Sequence, residues 1–262
     1  MPTLSPEPHR NRDAAESFGI DAARYDRTRP TYPTAMIDRI VAAAPGRDVL
    51  DVGCGTGISS RQLQAAGCQV LGVDVDERMA EFARQSGVAV EVSSFEDWDP
   101  AGRTFDAVVA GQAWHWVDPV GGAAKAAKVL RPGGRLALFW NTFEPPAEVA
   151  EAFNAVSSRV TPDLPGLPVN PGPDSYFRLL GTTVDGIGAA GFGEPERWRF
   201  PWQHTYSKAE WLDVVPTQGF HTRLPPDTLR TLLDGFGEAI DGFGGSFVMS
   251  YTALVVTAAL PN

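Results

Sequence analysis

The stretch Val49-Leu-Asp-Val-Gly-Cys-Gly-Thr-Gly57 decides the fold of this chain. An apolar run ends at Asp51, glycines follow at alternate positions, and a helix-like pattern begins at Ile58. A strand that turns at once into a helix needs residues that tolerate a positive φ, and a ligand lying on that turn needs backbone without Cβ atoms. The stretch therefore predicts a strand, a ligand-binding loop and a helix, with a ligand-free glycine turn as the alternative.

The glycine spacing separates two kinds of ligand. A dinucleotide-binding loop reads G-x-G-x-x-G, and counting from Gly53 or Gly55 its third glycine would fall where Ile58 and Ser60 stand. Asp51 would also repel a pyrophosphate, whereas a carboxylate at this strand end suits a ligand with a cationic or ammonium group. The spacing therefore disfavours an NAD-dependent oxidoreductase.

The next apolar run, from Gln69 to Asp74, also ends on a carboxylate. It lies about 20 residues past the glycine loop, where an ionised carboxylate reads ribose by accepting hydrogen bonds from both hydroxyls. Asp76 lies beyond this strand end, and its position predicts an N-cap for a helix that begins near Glu77. Met79 in that helix lies either against the ligand or in the core.

Strands and helices alternate as far as about Asn141. Further strands are predicted over Ala89–Ser93, Thr104–Ala110 and Leu130–Trp140, and helices over Thr34–Ala44, Ile58–Ala66, Glu77–Gln85 and Val120–Leu130. This alternation indicates an α/β fold with a parallel sheet and right-handed crossovers.

The second half of the chain is less regular. Helices are predicted over Ala147–Val160, over Thr183–Ala190, over Lys208–Val214 and from Asp227 or Thr228, and strands over Glu194–His204 and Ser246–Leu260. Five prolines between Thr161 and Pro173 exclude a helix there. Ser207 and Glu210 have the spacing of a capping box.

The glycine loop, Asp74 and the later strands together resemble motif I and its neighbours in the class I S-adenosylmethionine (SAM) methyltransferases. The resemblance implies a Rossmann-like, doubly wound, mostly parallel seven-stranded sheet with an antiparallel last strand and a helical cap. It also implies that the loop holds the amino-acid end of SAM, and that adenine is recognised through the Ser94 side chain or the Phe95 backbone. S-adenosylhomocysteine (SAH) would be the product.

Two further segments resemble the trans-aconitate methyltransferase-like and type 11 branch of this family, Arg24-Tyr-Asp-Arg-Thr-Arg-Pro-Thr-Tyr-Pro33 and Gln112-Ala-Trp-His-Trp-Val-Asp-Pro119. The first implies a lid over residues 18–33, and the second a loop at the sheet edge where ligands bind. The implied cofactor-contacting residues are Tyr25, Arg29, Asp51, Gly53, Cys54, Gly55, Thr56, Gly57, Asp74, Val75, Met79, Ser94, Phe95, Glu96, Gly111 and Gln112. No metal ligands are assigned.

The candidates for the chemistry are His115, Trp116 and Gln112. Methyl transfer is an in-line displacement that depends on alignment and on the exclusion of water. His115 either removes a proton from the acceptor or hydrogen-bonds the backbone between Trp114 and Trp116, of which one lines the site and the other packs. A carboxylate acceptor would need no base.

Several other residues have two open interpretations. Arg29 either forms a bidentate pair with a carboxylate of the cofactor or the substrate, or lies on the surface beside Asp26. Tyr25 either closes over the cofactor or packs on a helix face. The aromatic residues of the second half either roof a pocket or form ordinary core; they are Trp202, His204, Tyr206, Trp211 and His221.

Composition is consistent with one soluble enzyme domain. The 262 residues have 22 basic and 32 acidic side chains and a net charge of −10, which argues against binding a phosphate backbone. No apolar run approaches the roughly 18 residues of a membrane span, and residues 1–12 lack a signal core. Cys54 and Cys68 are the only cysteines, and we expect reduced thiols in a cytoplasmic protein.

We expect a mobile tail over residues 1–17 and a single methyltransferase domain over residues 18–262, with cap insertions at about 144–180 and 204–245. The expected activity is methyl transfer from SAM to a small-molecule acceptor, at the oxygen of a carboxylate, hydroxyl or phenol. The alternatives are transfer to nitrogen or sulfur, and a catalytically inert SAM-binding module that regulates a partner. The His-Trp loop and the proline-rich segment favour an enzyme, because a cofactor sensor needs no second closed pocket.

Overall fold

The computed structural model describes residues 16–163, 180–219 and 221–262. Within them, seven strands form one sheet: β1 (Asp48–Val52), β2 (Gln69–Asp74), β3 (Ala89–Val92), β4 (Phe105–Gly111), β5 (Leu130–Glu144), β6 (Glu196–Ser207) and β7 (Ser246–Ala259). The strand order is β3-β2-β1-β4-β5-β7-β6. The first five strands are parallel, and β7 runs antiparallel between β5 and β6. The predicted sheet with an antiparallel last strand is confirmed.

The helices of the described residues connect and cover these strands. They are α1 (Ala22–Thr28), α2 (Thr34–Ala43), α3 (Ile58–Ala65), α4 (Glu77–Gln85), α5 (Pro119–Val129), α6 (Ala147–Val160), α7 (Gly181–Ala189), α8 (Lys208–Val214) and α9 (Pro226–Gly242). Short 3₁₀ helices cover Ser17–Asp21, Trp114–Trp116, Val215–Thr217 and His221–Arg223. No helix among these residues is long and apolar enough to cross a membrane.

Apolar side chains bury both faces of the sheet. On one face, Met36 and Ile40 of α2 and Leu63 of α3 pack against the central strands. On the other, Trp114 and the small residues of α5 form a second cluster with Ile187 of α7. Because the faces are covered by helices, ligands can reach the sheet only at its edges, and the carboxyl ends of the parallel strands share one edge.

A third apolar cluster forms the cap. Phe153 of α6, Trp211 of α8 and Phe236 of α9 pack together against the ends of β6 and β7 that extend beyond the core of the sheet. The predicted capping box is confirmed, since Ser207 accepts from the Glu210 N–H and the Glu210 carboxylate accepts from the Ser207 N–H. The cap is therefore fixed to the sheet by continuous strands.

Some element boundaries differ from the prediction. β5 continues past Trp140 to Glu144, because β7 pairs with it from Arg135 to Glu144. β6 reaches Ser207, so the first residues of the predicted cap 204–245 lie in the sheet. Ser17, placed in the predicted tail, is buried and its hydroxyl lies 3.0 Å from that of Thr222. Residues 1–15 and most of the proline-rich segment lie outside the described residues.

We expect Phe153→Ala to lower the free energy of unfolding by about 3–5 kcal/mol, since it removes a fully buried ring and leaves a cavity. The ring lies 4.7 Å from that of Phe236 and 5.7 Å from that of Trp211. Because the cap and the sheet share β6 and β7, denaturant unfolding should remain one cooperative transition. Val120→Ala, at a residue that is 59% exposed, is the control and should change stability by less than about 0.5 kcal/mol. Two separate transitions would contradict the single domain.

Candidate functional site

The glycine loop has the backbone conformation that its sequence predicts. Gly53, Gly55 and Gly57 have φ values of 65°, 56° and 85°, and Gly57 is the N-cap of α3. The Gly53 N–H donates to the carbonyl of Val73 on β2 at 2.7 Å. The loop is therefore held against the carboxyl ends of both β1 and β2, in a left-handed conformation that favours glycine.

The three glycines are needed for different reasons. A Cβ on Gly53 would lie 2.5 Å from the Cβ of Ala113, and one on Gly57 would lie 3.1 Å from Val88. A Cβ on Gly55 would meet nothing nearer than the Met79 methyl at 3.7 Å. At Gly53, the space that a Cβ would need is occupied by Ala113 of the loop after β4. Open space for a ligand lies at Gly55.

Asp51 is fully buried at the end of β1. Its Oδ2 accepts hydrogen bonds from the hydroxyls of Ser59 at 2.8 Å and Ser60 at 2.6 Å, both on α3. Its Oδ1 is buried without a partner in the described residues. Burial raises the pKa of this carboxyl to about 6, although the two serine hydrogen bonds oppose that rise.

Asp74 is buried at the end of β2. Its Oδ2 accepts from the Gly55 N–H at 2.7 Å, and its Oδ1 accepts from the Asp76 N–H at 2.9 Å. Burial raises its pKa to about 6 against these hydrogen bonds, and the nearby charge of Asp76 adds to the rise. Asp76 caps α4, as predicted. Two buried carboxyls thus lie on neighbouring strand ends beside one loop.

The side chains of the loop itself divide into two groups. Cys54 packs its thiol among Ala80, Ala83 and Val90, so only its backbone faces the loop. Both cysteines are free thiols. Thr56 is buried, and its Oγ1 has no partner in the described residues, while its carbonyl accepts from Arg61 at 2.7 Å. Thr56 therefore provides a second buried polar atom without a partner in the described residues, in the loop that follows β1.

The residues after β3, predicted to recognise adenine, are largely occupied by local contacts. The Ser94 hydroxyl donates to Asp97 at 2.8 Å, and the Glu96 carboxylate accepts from the Asp118 N–H at 2.8 Å. The Phe95 ring is buried in the core, 6.1 Å from that of Trp114. Of the two predicted alternatives, this geometry favours the Phe95 backbone over the Ser94 side chain. Val75 is half-buried and Met79 buried next to Gly55.

Gln112 has an unusual backbone conformation for a residue that is not glycine, with φ 57°. Its N–H donates to the Phe139 carbonyl at 2.8 Å, and its side-chain amide donates to the Asn141 carbonyl at 3.1 Å. Such a conformation persists only where surrounding contacts enforce it, and it is common at functional sites. The strand end of β4 is thereby turned towards the end of β5.

Gly111 leads into this turn and is shielded by a residue that the sequence analysis did not single out. A Cβ on Gly111 would lie 2.8 Å from the hydroxyl of Tyr32, which is buried beside Phe139. Tyr32 lies within the quoted Arg24–Pro33 segment, but only the tertiary contact shows that it packs on the end of β4.

The two tryptophans of the loop after Gln112 differ in burial. Trp114 is buried in the core, whereas Trp116 is half-buried with its ring 6.3 Å from that of Phe18. His115 lies between them, its ring 4.8 Å from that of Trp116, and its Nδ1 is buried without a partner in the described residues. Burial lowers the pKa of His115 to about 3, so its imidazole is neutral at physiological pH.

The predicted lid lies between the glycine loop and the cap. Asp26 pairs with Arg61 of α3 at 2.6 Å, and a Cβ on Gly19 would overlap the Asp76 carboxylate. On the other side, Arg24 and Arg27 both pair with Asp213 of α8, at 2.7 and 2.9 Å. The segment therefore has contacts with both halves of the molecule, as a lid requires.

Arg29 follows α1 and does not contact Asp26. Its guanidinium lies 4.8 Å from the centre of the Tyr25 ring and donates through Nη2 to the Thr217 carbonyl, while its Nε is buried without a partner in the described residues. Arg29 is half-buried, and its described contacts are with Tyr25 and Thr217, so both interpretations of its role stay predictions. Tyr25 contacts Phe18 and Arg29, which keeps it within the lid.

Comparisons with known proteins identify this arrangement. Residues 50–138 match the model of the methyltransferase domain family. The chain is 41% identical over 133 residues to an uncharacterised methyltransferase of Mycobacterium tuberculosis, covering 50% of this chain and 54% of that protein. It is 38% identical over 109 residues to the ubiquinone biosynthesis O-methyltransferase of Hahella chejuensis, covering 38% of this chain and 45% of that protein. The chain spans about half the length of these curated relatives.

A solved structure agrees over a longer range. A protein from Anaeromyxobacter dehalogenans, assigned as a type II methyltransferase, superposes with a TM-score of 0.63 at 24% identity, over 89% of this chain and 99% of that one. At this identity the superposition shows the fold alone. The matched domain and the fold together confirm the predicted resemblance to the class I SAM-dependent methyltransferases.

We expect Asp213→Asn to loosen the lid, because it removes both ion pairs to α1 while keeping the shape of the side chain. These pairs are partly exposed and are worth about 0.5–1 kcal/mol, so hydrogen exchange over residues 22–28 should become roughly two- to fivefold faster. Asp241→Asn, which breaks an exposed pair with Lys208 at 2.5 Å and leaves both ion pairs of Asp213 in place, is the matched control. Equal exchange in both variants would show that Asp213 does not hold the lid.

Proposed function

We propose that this chain, which belongs to the class I SAM-dependent methyltransferases by its matched domain and its sheet topology, transfers the methyl group of SAM to an oxygen atom of a small organic acceptor. The observation that carries the proposal is the buried Asp51 Oδ1 without a partner in the described residues. A buried carboxylate oxygen left unsatisfied is costly. SAM offers an ammonium and a sulfonium to compensate that charge.

Other features of the loop fit the same molecule. Thr56 Oγ1 is a second buried polar atom without a partner in the described part of the chain, and Gly55 leaves open space beside Met79. Each oxygen of Asp74 accepts one backbone N–H and keeps lone-pair capacity for a ribose hydroxyl. We assign Asp51 to the amino-acid end of SAM, Asp74 to its ribose, and Met79 with the Phe95 backbone to its adenine.

When bound, SAM supplies a methyl group on a cationic sulfur, and its S–CH₃ bond breaks as a lone pair of the acceptor oxygen forms the O–CH₃ bond. The residues of this chain align the acceptor and exclude water. Gln112 and Trp116 lie where β4 ends, and the Phe18 ring of the lid contacts both the Trp116 ring, at 6.3 Å, and the Tyr25 ring, at 6.0 Å. We assign the methyl-transfer position to this side of Gln112.

His115 acts in this proposal as a positioning residue. A pKa of about 3 makes its imidazole a weak proton acceptor at neutral pH, where a general base works best with a pKa near the operating pH. Its buried Nδ1 is available to hydrogen-bond an acceptor. This role suits an acceptor oxygen that is already ionised, such as a carboxylate.

Transfer to oxygen is supported by the name of one relative, the ubiquinone biosynthesis O-methyltransferase, which matches 38% of this chain.

The test is an assay for SAH release over a panel of carboxylates, phenols, amines and thiols, with calorimetry of SAM binding in parallel. Release with carboxylates or phenols alone is expected. Turnover restricted to amines or thiols would contradict oxygen as the acceptor, and tight SAM binding without any turnover would favour the inert regulatory module.

We expect SAM to bind more weakly at acid pH. Burial raises the pKa of Asp51 and Asp74 to about 6, so both are largely protonated at pH 5. A protonated Asp51 cannot compensate a cation, and a protonated Asp74 is a weaker acceptor for the ribose hydroxyls. Affinity should fall about tenfold between pH 7.5 and pH 5 for each carboxyl that must ionise. The free energy of unfolding of the ligand-free protein should depend on pH in the opposite direction. A raised carboxyl pKa favours the folded state at low pH, and this contribution is lost as the pH rises through 6.

Calorimetry of SAM binding between pH 5 and 8, in buffers of different ionisation enthalpy, measures this effect and the accompanying proton release near pH 6. Asp51→Asn should make the pH dependence shallower, since only Asp74 would still titrate. An affinity that stays constant over this range would show that neither carboxylate faces the cofactor.

We expect His115→Ala to lower kcat by about tenfold or less, with a cost that is flat between pH 6 and 9, because no proton is transferred and only alignment is lost. His115→Asn should recover part of the rate, since its amide retains a hydrogen-bonding group. The measurement is the pH profile of kcat for both variants with an acceptor found in the panel. A general base predicts instead a loss of about 10²–10⁴-fold that shrinks at alkaline pH, and that result would reverse the assignment.

A further inference from the structure

A single guanidinium on α3 joins the glycine loop to the predicted lid. Arg61 donates through Nη1 to the Thr56 carbonyl of the loop at 2.7 Å, and through Nη2 to the Asp26 carboxylate of α1 at 2.6 Å. Its side chain lies along the loop, since a Cβ on Gly57 would be 3.5 Å from Nη1. Arg61 therefore contacts both the loop that would hold the cofactor and the helix that would cover it.

The neighbouring residue on α3, Gln62, anchors the end of the predicted lid. Its Oε1 accepts from the Tyr32 N–H at 3.0 Å, and its Nε2 donates to the Tyr32 carbonyl at 2.8 Å. Asn141 of β5 donates through Nδ2 to the Thr31 carbonyl at 3.2 Å. The Tyr32 ring is buried, with its centre 4.7 Å from that of Phe139. The chain that follows the lid helix is thus fixed to α3 and to β5.

The short link between this anchor and α1 can act as a pivot. α1 ends at Thr28, Arg29 is extended with φ −73° and ψ 134°, and Pro30 follows. A proline fixes its own φ and restricts the residue before it to extended conformations, so few torsions in the link are free. Rotation about them moves α1 as one body, and it carries Asp26 towards Arg61 or away from it.

The ion pair between Arg61 and Asp26 is weak by itself. The Arg61 side chain is 32% exposed and the Asp26 side chain 20% exposed, and a partly exposed pair gains little because a long side chain must be held in one rotamer. The Thr56 carbonyl already restricts the same guanidinium. A ligand that orders the loop therefore reduces the entropy that Arg61 loses when it pairs with Asp26, and such coupling acts in both directions.

We propose that Arg61 is a positioning residue that couples occupation of the glycine loop to closure of the lid. A ligand on the loop fixes the Thr56 carbonyl, this carbonyl holds the guanidinium, and the guanidinium holds α1 through Asp26. The closed lid strengthens cofactor binding by the same factor. The inference rests on the proposed function, because it states how the cofactor of that same site orders the lid.

The test is a double-mutant cycle in which calorimetry measures the affinity for SAM. Arg61→Gln and Asp26→Asn should each weaken SAM binding about two- to fivefold, and the double variant should bind no more weakly than either, because all three lack the same link. The direction of the changes distinguishes this link from a direct charge effect. For a cationic ligand, loss of the Arg61 charge alone would strengthen binding, whereas loss of the Asp26 charge would weaken it.

Arg84→Gln is the matched control. The Arg84 guanidinium also joins a backbone carbonyl, that of Val90, to a carboxylate, that of Glu77, but these partners lie on β3 and α4 rather than on the lid. Its side chain is 34% exposed, close to the value for Arg61. This variant should change SAM affinity by less than about twofold, and thermal melting checks that every variant is folded.

Hydrogen exchange over residues 22–28 provides a readout that is independent of activity. SAH should slow this exchange in the unmodified protein and in Arg84→Gln, and the slowing should be at least about twofold smaller in Arg61→Gln.

The coupling is wrong if SAM affinity is unchanged in both single variants, if it changes in opposite directions in them, or if the two losses add in the double variant. Slowing by SAH that is as large in Arg61→Gln as in the unmodified protein would also overturn it. Failure of the unmodified protein to bind SAM would count against the proposed function itself.

Discussion

Two carboxyl groups, those of Asp51 and Asp74, are buried side by side at the carboxyl edge of the sheet, and among the described residues no ion pair reaches either of them. Burying acids in this way is unfavourable for the isolated fold, and the raised pKa of each reports that cost. The surrounding structure reduces the cost without removing it: serine hydroxyls satisfy one oxygen of Asp51, and backbone N–H groups satisfy both of Asp74. In the proposed function, a cationic ligand compensates the buried charge that remains, so the choice of ligand follows from the burial of these carboxyls.

In the proposed function, the predicted lid and the cap would keep water from the reacting atoms. The lid follows no strand of the sheet, and it is held by ion pairs to α3 on one side and to α8 on the other. Partly exposed ion pairs contribute little stability, which suits a segment that has to move for ligand exchange. The cap is different, because its apolar cluster is built directly on β6 and β7. The cap is thus held by apolar packing on the sheet, whereas the segment of the predicted lid is held by weak ion pairs.

The sequence predicted those features that depend on neighbours along the chain. The glycine loop, the two strand-end acids, the Asp76 cap and the capping box of Ser207 and Glu210 all have local signals, and the structure contains them. Contacts between distant residues had no such signal. Ala113 fills the space at Gly53, and Tyr32 covers Gly111. The contact of Arg29 with Thr217, far along the chain, is another such case, and no spacing within residues 24–33 could show it.

The strand order of the sheet explains why the proposed cofactor residues lie on β1, β2 and β4, whereas the chain beyond β4 contributes other residues to the same edge. The parallel strands must place their carboxyl ends at one edge, so the cofactor residues are fixed by the order of β1, β2 and β4. β7 lies between β5 and β6 and pairs antiparallel with both. These three strands can extend beyond the parallel strands without moving the edge where the parallel strands end. In this chain the extension brings Asn141, Trp202 and Tyr251 next to the end of β4. The family match ends at residue 138, just before this extension, which is why the matched domain identifies the cofactor half while the acceptor has to be inferred from the residues beyond it.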